Sequence, residues 1–417
     1  MNTENRILLS RFLTRSGDQA WDFAVPIVLI ALFPENPRIA FLYFFLIRLG
    51  SVVLMPHAGR LIDKLRRSDC LKLGIGLQLA SVLIAAAMVF VLSKTSDLAL
   101  VPFTVLVLMG LLSTIGAGIM DIAVSNDLTP MTLPAERLPK FNSRLRQLDL
   151  FTEVTSPLLA GLLLLITHEN LAHFGFYLIV LWNVLTFYPE YVLLSRILAS
   201  TPGLNLVKAV SVQTKQTFLA KLSVGWGSFA RSPVALTVSA YALLWLSVLS
   251  PHGVLLTAFL SSGWQLSAPL LGAFRGLGAV FGLLATLLYP YLHQRLGLKL
   301  TSQSFIVFQA TTLVFAFGAF LLGGEAGQLG FLALILFSRV GLYGFSLGEM
   351  ELRQRLIPEH LRGEINGVAQ ALTGLATLVV FGLGIIFATP ESFVYLVAIS
   401  VSAVVLGAVL FTARSTG

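Results

Sequence analysis

Uninterrupted apolar runs of about 20 residues recur along the whole chain of 417 residues. A helix of this length crosses the hydrocarbon core of a bilayer, because each residue adds about 1.5 Å to a path of about 30 Å. The pattern predicts an all-α polytopic membrane protein with about twelve transmembrane helices, here called segments 1 to 12. The segments cover residues 8–33, 38–57, 71–94, 99–124, 142–166, 172–197, 234–260, 266–290, 300–322, 328–349, 364–388 and 391–413.

The longest polar stretch separates two groups of six segments. The sequence therefore predicts an N-terminal six-helix half (residues 1–199), a cytoplasmic linker (200–233) and a C-terminal six-helix half (234–417). Two such halves around a central cavity are the architecture of the major facilitator superfamily, whose substrates bind near the membrane midplane. The loop from Gly59 through Asp63 to Arg67 resembles the glycine, aspartate and basic residues of that superfamily's loop motif.

The distribution of charge argues for a membrane protein and against a nucleic-acid partner. Only 12% of the residues are charged, whereas a soluble protein carries about 25%. The net charge of +8 comes from lysines and arginines that concentrate in alternate loops. By the positive-inside rule, this alternation places both termini in the cytoplasm. Cys70 is the only cysteine, so an intramolecular disulfide is excluded.

Acidic and amide residues occur inside several apolar segments, where an ionisable side chain is energetically costly and usually functional. They share one helical face in segment 1 and one in segment 6, and segment 3 adds an amide. Together they predict an oxygen-rich site for a hard divalent cation in the N-terminal half. Hydrogen bonds between helices are the alternative role, above all for the amides and threonines. These residues are Thr14, Asp18, Asp22, Gln78, Asn183, Thr186 and Glu190.

Segment 7 contains Pro251, His252 and Gly253, a combination that predicts an interrupted helix. A neutral imidazole prefers transition metals to calcium or magnesium, so His252 is a candidate ligand of a second metal site. A hydrogen bond between helices is the alternative role of this histidine.

Four charged residues are expected at cytoplasmic helix ends: Asp127, Arg146, Asp149 and Arg362. The last of them belongs to the C-terminal half, so pairs across the halves could form an inner gate. Ordinary membrane anchoring by arginine is the alternative role. The chain has no phosphate loop or cysteine–histidine metal spacing, and we predict that it is not an enzyme.

Several stretches together resemble the ferroportins, the iron-exporting branch of the major facilitator superfamily. They occur in the same order along the chain: 17–25, 142–149 with Pro157, 182–183 with 190–194, 339–342, 362–368 and 390–393. The compact length, without long extracellular insertions, is typical of a bacterial homologue, which would lie in the inner membrane.

The resemblance implies export of Fe²⁺, and of Co²⁺, Ni²⁺, Zn²⁺ or Mn²⁺, with one metal site in each half. Asp18 falls on the family's metal-binding aspartate, and Asp22 stands where vertebrate members carry a metal-binding histidine. In the C-terminal half, Gly253 replaces the vertebrate metal-binding cysteine next to His252, and Val380 replaces a histidine. The missing cysteine argues against regulation by the peptide hormone hepcidin. Three further positions fall on oxygen ligands associated with calcium in this family: Gln78, Asn183 and Glu190.

The leading hypothesis is secondary-active export of Fe²⁺ or a related ion by alternating access. Thr14, Thr186 and Phe187 are expected to line the substrate path, and the protein is expected to be a monomer. A facilitator-type exporter of organic cations or drugs would use the same buried acids. A membrane receptor or scaffold that senses metal is the third possibility.

Overall fold

The computed structural model describes most of the chain, and this part is built almost entirely from helices. The described residues are 2–33, 38–94, 100–168, 173–201, 203–205, 218–251, 253–387 and 389–413. His252 and most of the predicted linker lie outside them.

The helices follow one another with short connections. They are α1 (Thr3–Leu32), α2 (Arg38–Lys64), α3 (Arg67–Leu92), α4 (Leu100–Asp121), α5 (Thr129–Thr132), α6 (Leu138–Leu164), α7 (Phe174–Ser200), α8 (Phe218–Arg231), α9 (Ala235–Trp245), α10 (Val254–Ser262), α11 (Ala268–Leu322), α12 (Gly324–Leu356), α13 (Arg362–Ile386) and α14 (Phe393–Ala413). A π-helical turn, Ile122–Leu128, continues α4 into α5.

Among the described residues, eight helices are long and apolar enough to cross a membrane. α1 and α6 are also long, with 30 and 27 residues, but they carry more charge. α11 contains a kink at Gly297, whose φ of 76° favours glycine, so its 55 residues form two consecutive helices. α9 and α10 together form one interrupted segment. These helices agree approximately with the twelve segments predicted from the sequence.

The chain forms two compact units whose bounds differ from the predicted halves. Residues 135–150 belong to unit 2 rather than to the N-terminal half, and residues 358–371 belong to unit 1 rather than to the C-terminal half. Unit 1 consists of Met1–Pro134, Phe151–Phe229 and Pro358–Ala371. Unit 2 consists of Ala135–Leu150, Ala230–Ile357 and Leu372–Gly417. The division into two halves with a linker at 200–233 therefore stays a prediction about how the chain is organised.

In unit 1, α7 packs against both α1 and α3, and α4 packs against α2 and α3. Apolar side chains such as Met55, Ile62 and Ile119 are buried between α2, α3 and α4. In unit 2, α11 packs on α12, and α14 packs on α9 and α11. Many large apolar side chains remain exposed on the helices, for example Leu287 at 60%. This is the surface expected of helices that face lipid.

Candidate metal site

The first helix places Gly17 and the neighbouring Asp18 at its contact with α7. Asn2 caps α1, because its side chain accepts a hydrogen bond from the backbone N–H of Asn5 at 2.9 Å. Gly17 permits close contact with α7: a Cβ atom at this position would lie 2.6 Å from Oδ1 of Asn183. Asn183 in turn donates from Nδ2 to the backbone carbonyl of Gly17 at 3.2 Å. The neighbouring Asp18 is therefore held at the contact between α1 and α7.

A small cavity lies beside this contact in unit 1, lined by both Asp18 and Glu190. Its volume of about 10 Å³ suits a single water molecule or metal ion. Glu190 is only 1% exposed, and Thr14 donates a hydrogen bond of 2.5 Å to its Oε1. Oε2 of Glu190 and Oδ2 of Asp18 are buried without a hydrogen-bond partner among the described residues. Two carboxylate oxygens are thus available to a cation.

The other residues predicted for the metal site and the substrate path, apart from Thr14, do not line this cavity. Gln78 is fully buried on α3, and its Oε1 has no hydrogen-bond partner among the described residues. Asn183 and Thr186 are buried on α7, where the Thr186 hydroxyl donates to the carbonyl of Asn183 at 2.8 Å. Phe187 is also buried. Asp22, one turn after Asp18, is exposed.

Three charged residues on the wall of this cavity were not predicted from the sequence: Arg11, Arg15 and Asp121. Nη1 of Arg11 lies 2.7 Å from Oδ1 of Asp121, and Nη2 of Arg15 lies 3.9 Å from the same oxygen. A signal for Arg11 was present, because positions 11, 14 and 18 share one face of a helix. No pattern in the sequence pointed to Asp121, which lies at the end of α4.

The predicted interruption of segment 7 is present in unit 2. α9 ends at Trp245 and α10 begins at Val254. Two helices bind the intervening backbone: the hydroxyl of Ser400 accepts from the N–H of Val248 at 2.9 Å, and Arg339 donates to the carbonyl of Leu249 at 2.7 Å. His252 lies outside the described residues, so its role as a ligand stays a prediction. No group of three histidine, cysteine, aspartate or glutamate side chains suited to a metal occurs in the part of the chain that the structure describes.

The start of α13 is bound to α2 within unit 1, an arrangement that we call the clasp. The carboxylate of Asp63 accepts from the backbone N–H groups of Gly363 at 2.8 Å and Glu364 at 2.7 Å. A carboxylate at a helix N-terminus is favourable, because it binds orphan N–H groups and interacts well with the helix dipole. Nε of Arg60 lies 3.2 Å from Oε2 of Glu364. The loop motif recognised in the sequence therefore contributes directly to the clasp.

Asp127 extends the clasp from the buried π-helical turn after α4. Arg67 donates to both of its carboxylate oxygens, from Nε at 2.9 Å and from Nη2 at 3.2 Å. Nη1 of Arg362 lies 3.5 Å from Oδ1 of Asp127, so the structure brings these two predicted gate residues together. Arg67 also binds Glu359 at 2.5 Å. The sequence analysis had given neither Arg67 nor Glu359 a role in the gate.

The other two predicted gate residues belong to unit 2. Nη1 of Arg146 lies 3.8 Å from Oδ2 of Asp149, one turn further along α6. The guanidinium of Arg146 also lies over the ring of Tyr343, 4.6 Å from its centroid. A cation–π contact of this kind accounts for the position of the arginine within unit 2.

Comparison with known proteins places the chain in a family. The family model described as Ferroportin1 (FPN1) matches residues 2–404. The chain belongs to the ferroportin family. It is 45% identical over 421 residues to Ferreportin from Bdellovibrio bacteriovorus, a match that covers 99% of this chain and 94% of the relative.

Solved structures agree with this membership of the ferroportin family. One is a bacterial homologue of the iron transporter ferroportin in an outward-facing state with soaked iron. It is 42% identical, and the match covers 100% of both chains with a TM-score of 0.90. The proton:xylose symporter XylE, of the major facilitator superfamily, matches with a TM-score of 0.71 and 16% identity over 98% of this chain and 94% of that one. The latter likeness concerns the fold alone.

Proposed function

We propose that this protein is a secondary-active exporter of Fe²⁺ and related divalent metals, Co²⁺, Ni²⁺, Zn²⁺ and Mn²⁺, that works by alternating access. The observation that carries the proposal is the pair of buried carboxylate oxygens, on Asp18 and Glu190, without a partner beside a cavity of metal-ion size. A buried carboxylate is costly unless it meets a cation or a proton. The homologous iron transporter solved with soaked iron supports iron as the substrate.

The ligand set that we propose in the N-terminal half consists of the carboxylates of Asp18 and Glu190 with the amide oxygens of Gln78 and Asn183. Carboxylate and amide oxygens suit hard divalent cations, so Ca²⁺ is a further candidate for this site. The cavity of about 10 Å³ favours a bare metal ion over an organic cation or drug. We propose His252 as a separate transition-metal ligand in the C-terminal half, where an imidazole selects against Ca²⁺.

The clasp supports a role for Asp127 and Arg362 in an inner gate. Asp127 is 1% exposed and interacts with two arginines, one of them on α13. A buried ion pair has a preferred geometry and is lost when its helices separate, which makes it a suitable switch between two states. We propose that the clasp opens and closes during transport. Arg146 and Asp149 would contribute to the gate through α6.

The remaining proposals concern the cellular setting. The alternation of positive charge supports a location in the bacterial inner membrane with both termini in the cytoplasm. We expect the transporter to act as a monomer in the lipid bilayer and without regulation by hepcidin, because Gly253 stands where the vertebrate family carries a cysteine.

Flux measured in proteoliposomes tests the proposed function. The full chain is reconstituted and compared with Asp18→Ala, and Asp69→Ala serves as a matched control for the loss of a carboxylate. Wild type and the control should move Co²⁺ and Fe²⁺, and Asp18→Ala should lose at least about tenfold in cation affinity, because even losses in the outer shell of a metal site cost 10–100-fold.

Each outcome of the flux assay selects one hypothesis. Flux of an organic cation without flux of a divalent metal would favour a drug exporter. A wild-type protein that binds metal but moves nothing would favour a receptor. Asp18→Ala with the flux and metal affinity of wild type would remove Asp18 from the site.

A further inference from the structure

Further charged groups line the same cavity as the proposed ligands Asp18 and Glu190. Asp121, at the end of α4, accepts at Oδ1 from Arg11 at 2.7 Å. Its Oδ2 accepts from Nε2 of Gln370 on α13 at 3.3 Å. Arg15 lies 3.9 Å from Oδ1. Groups from α1 and α13 therefore hold this carboxylate within unit 1.

The two arginines also stand close to the proposed metal ligands. Arg11, Arg15, Asp18 and Glu190 line the same cavity, and the arginines interact electrostatically with Asp18. Arg11 interacts electrostatically with Glu190 as well. A guanidinium is the strongest carboxylate partner among the side chains. Each arginine is therefore an internal competitor for the oxygens that a metal would use.

The observed geometry directs Arg11 to Asp121. The carboxylates of Asp18 and Glu190 each keep one buried oxygen without a hydrogen-bond partner among the described residues, although a guanidinium shares their cavity. Counted as fully ionised, the three carboxylates and two guanidiniums that line the cavity leave one formal negative charge in excess. Without Asp121 the formal charges would balance, and Arg11 would lose its ion pair at 2.7 Å with Asp121.

We propose that Asp121 is a positioning residue that holds Arg11 away from Asp18 and Glu190 and so keeps these carboxylates open to a divalent cation. The inference rests on the proposed function, because it assumes that the two carboxylates bind such a cation. It adds a determinant of affinity that lies outside the proposed ligand set. Asp121 acts through the arginine that it restrains and through its own negative charge on the cavity wall.

A double-mutant cycle measured by calorimetric titration with CoCl₂ tests this role. The full chain is purified in detergent as wild type, Asp121→Asn, Arg11→Gln and the double variant, with Asp69→Asn as the matched control. Asp121→Asn should lower Co²⁺ affinity by about tenfold or more, since it adds one net positive charge within several ångströms of the ligands. Arg11→Gln should bind Co²⁺ at least as tightly as wild type.

The double variant supplies the decisive measurement. Because the competing guanidinium is then absent, Co²⁺ affinity should return to within about twofold of wild type, which is the usual error of additivity. Asp69→Asn should match wild type. The loss in Asp121→Asn should also exceed the gain in Arg11→Gln, because release of the arginine adds to the change in net charge.

Several results would overturn the inference. Wild-type affinity in Asp121→Asn would mean that the ion pair only joins helices. If the double variant binds Co²⁺ as weakly as Asp121→Asn does, the loss of affinity would come from altered packing of α4 rather than from Arg11. If Asp121→Asn does not fold, Arg11→Gln alone still tests the inference. Weaker Co²⁺ binding by Arg11→Gln than by wild type would refute it, because Arg11 would then support the site rather than compete with it. A wild-type protein that binds no Co²⁺ refutes the proposed function instead.

Discussion

Replacing Gly367 with alanine tests whether close packing of α13 on α2 holds the clasp together. A Cβ atom at this position would lie 2.5 Å from the carbonyl oxygen of Met55 and 3.1 Å from Cα of Gly59. Ordinary van der Waals contact begins near 3.4 Å, and both neighbours are backbone atoms that cannot rotate away. The two helices must therefore separate locally by about 0.9 Å.

This separation also weakens the hydrogen bonds at the start of α13. The Asp63 carboxylate accepts from Gly363 at 2.8 Å and from Glu364 at 2.7 Å. An added 0.9 Å would bring these distances to about 3.7 Å and 3.6 Å, where a hydrogen bond no longer exists. Overpacking costs about 1–3 kcal/mol, and a hydrogen bond to a charged group contributes about 1.5–3 kcal/mol. We expect a destabilisation of about 2–5 kcal/mol, because some relaxation will preserve part of the contact.

Thermal unfolding of the purified protein in detergent measures the effect, with Gly382→Ala as the control on the same helix. A Cβ atom at Gly382 would meet no other atom within 4 Å. Alanine is favoured over glycine in a helix by about 1 kcal/mol, so the control should unfold at the temperature of wild type or above it. Gly367→Ala should unfold several degrees lower and lose flux. If Gly367→Ala and the control Gly382→Ala unfold at the same temperature, the packing argument is refuted.

Two further predictions concern the gate and the second metal site. Arg67→Ala removes both hydrogen bonds to a carboxylate that is 1% exposed, so it should destabilise the protein by about 3–5 kcal/mol in the same unfolding assay, and Arg362→Ala, whose contact is 3.5 Å, should cost less. Equal losses in the two variants would mean that Arg67 is not the principal partner of Asp127. His252→Ala should reduce Co²⁺ flux without changing Ca²⁺ binding, and wild-type flux should fall as the pH is lowered, because a protonated imidazole does not bind a metal. Identical Co²⁺ flux of wild type and variant at every pH would leave the histidine without a role as a ligand.

The sequence predicted which residues share a helical face, and three of these residues line the cavity: Thr14, Asp18 and Glu190. Thr14 and Asp18 lie four residues apart on α1, and the same periodicity relates Asn183, Thr186 and Glu190 on α7. The structure packs α1 and α3 on α7. Side-chain periodicity is a property of one helix, so it is readable without knowing the neighbouring helix.

What the sequence did not reveal depends on rotation and register between helices. Asp22 follows Asp18 by one turn, yet it is exposed while Asp18 lines the cavity. Asp127 lies in a π-helical turn, where the wider winding shifts every following side chain from the face that a regular helix predicts. The contact between Arg11 and Asp121 joins residues 110 positions apart, and no local pattern reports such a pair.

The clasp and the cavity share one short stretch of α13. Gly363, Gly367 and Gln370 recur at intervals of four and three residues and therefore lie on one face of this helix. The first two contact α2, and the third donates to Asp121 beside the cavity. A helical turn moves as a rigid body, so a displacement of α13 that opens the clasp also moves a hydrogen-bond donor of Asp121. Opening of the clasp would therefore also loosen the restraint that Asp121 places on Arg11. A variant that opens the clasp should accordingly change the cation affinity of the site at Asp18 and Glu190.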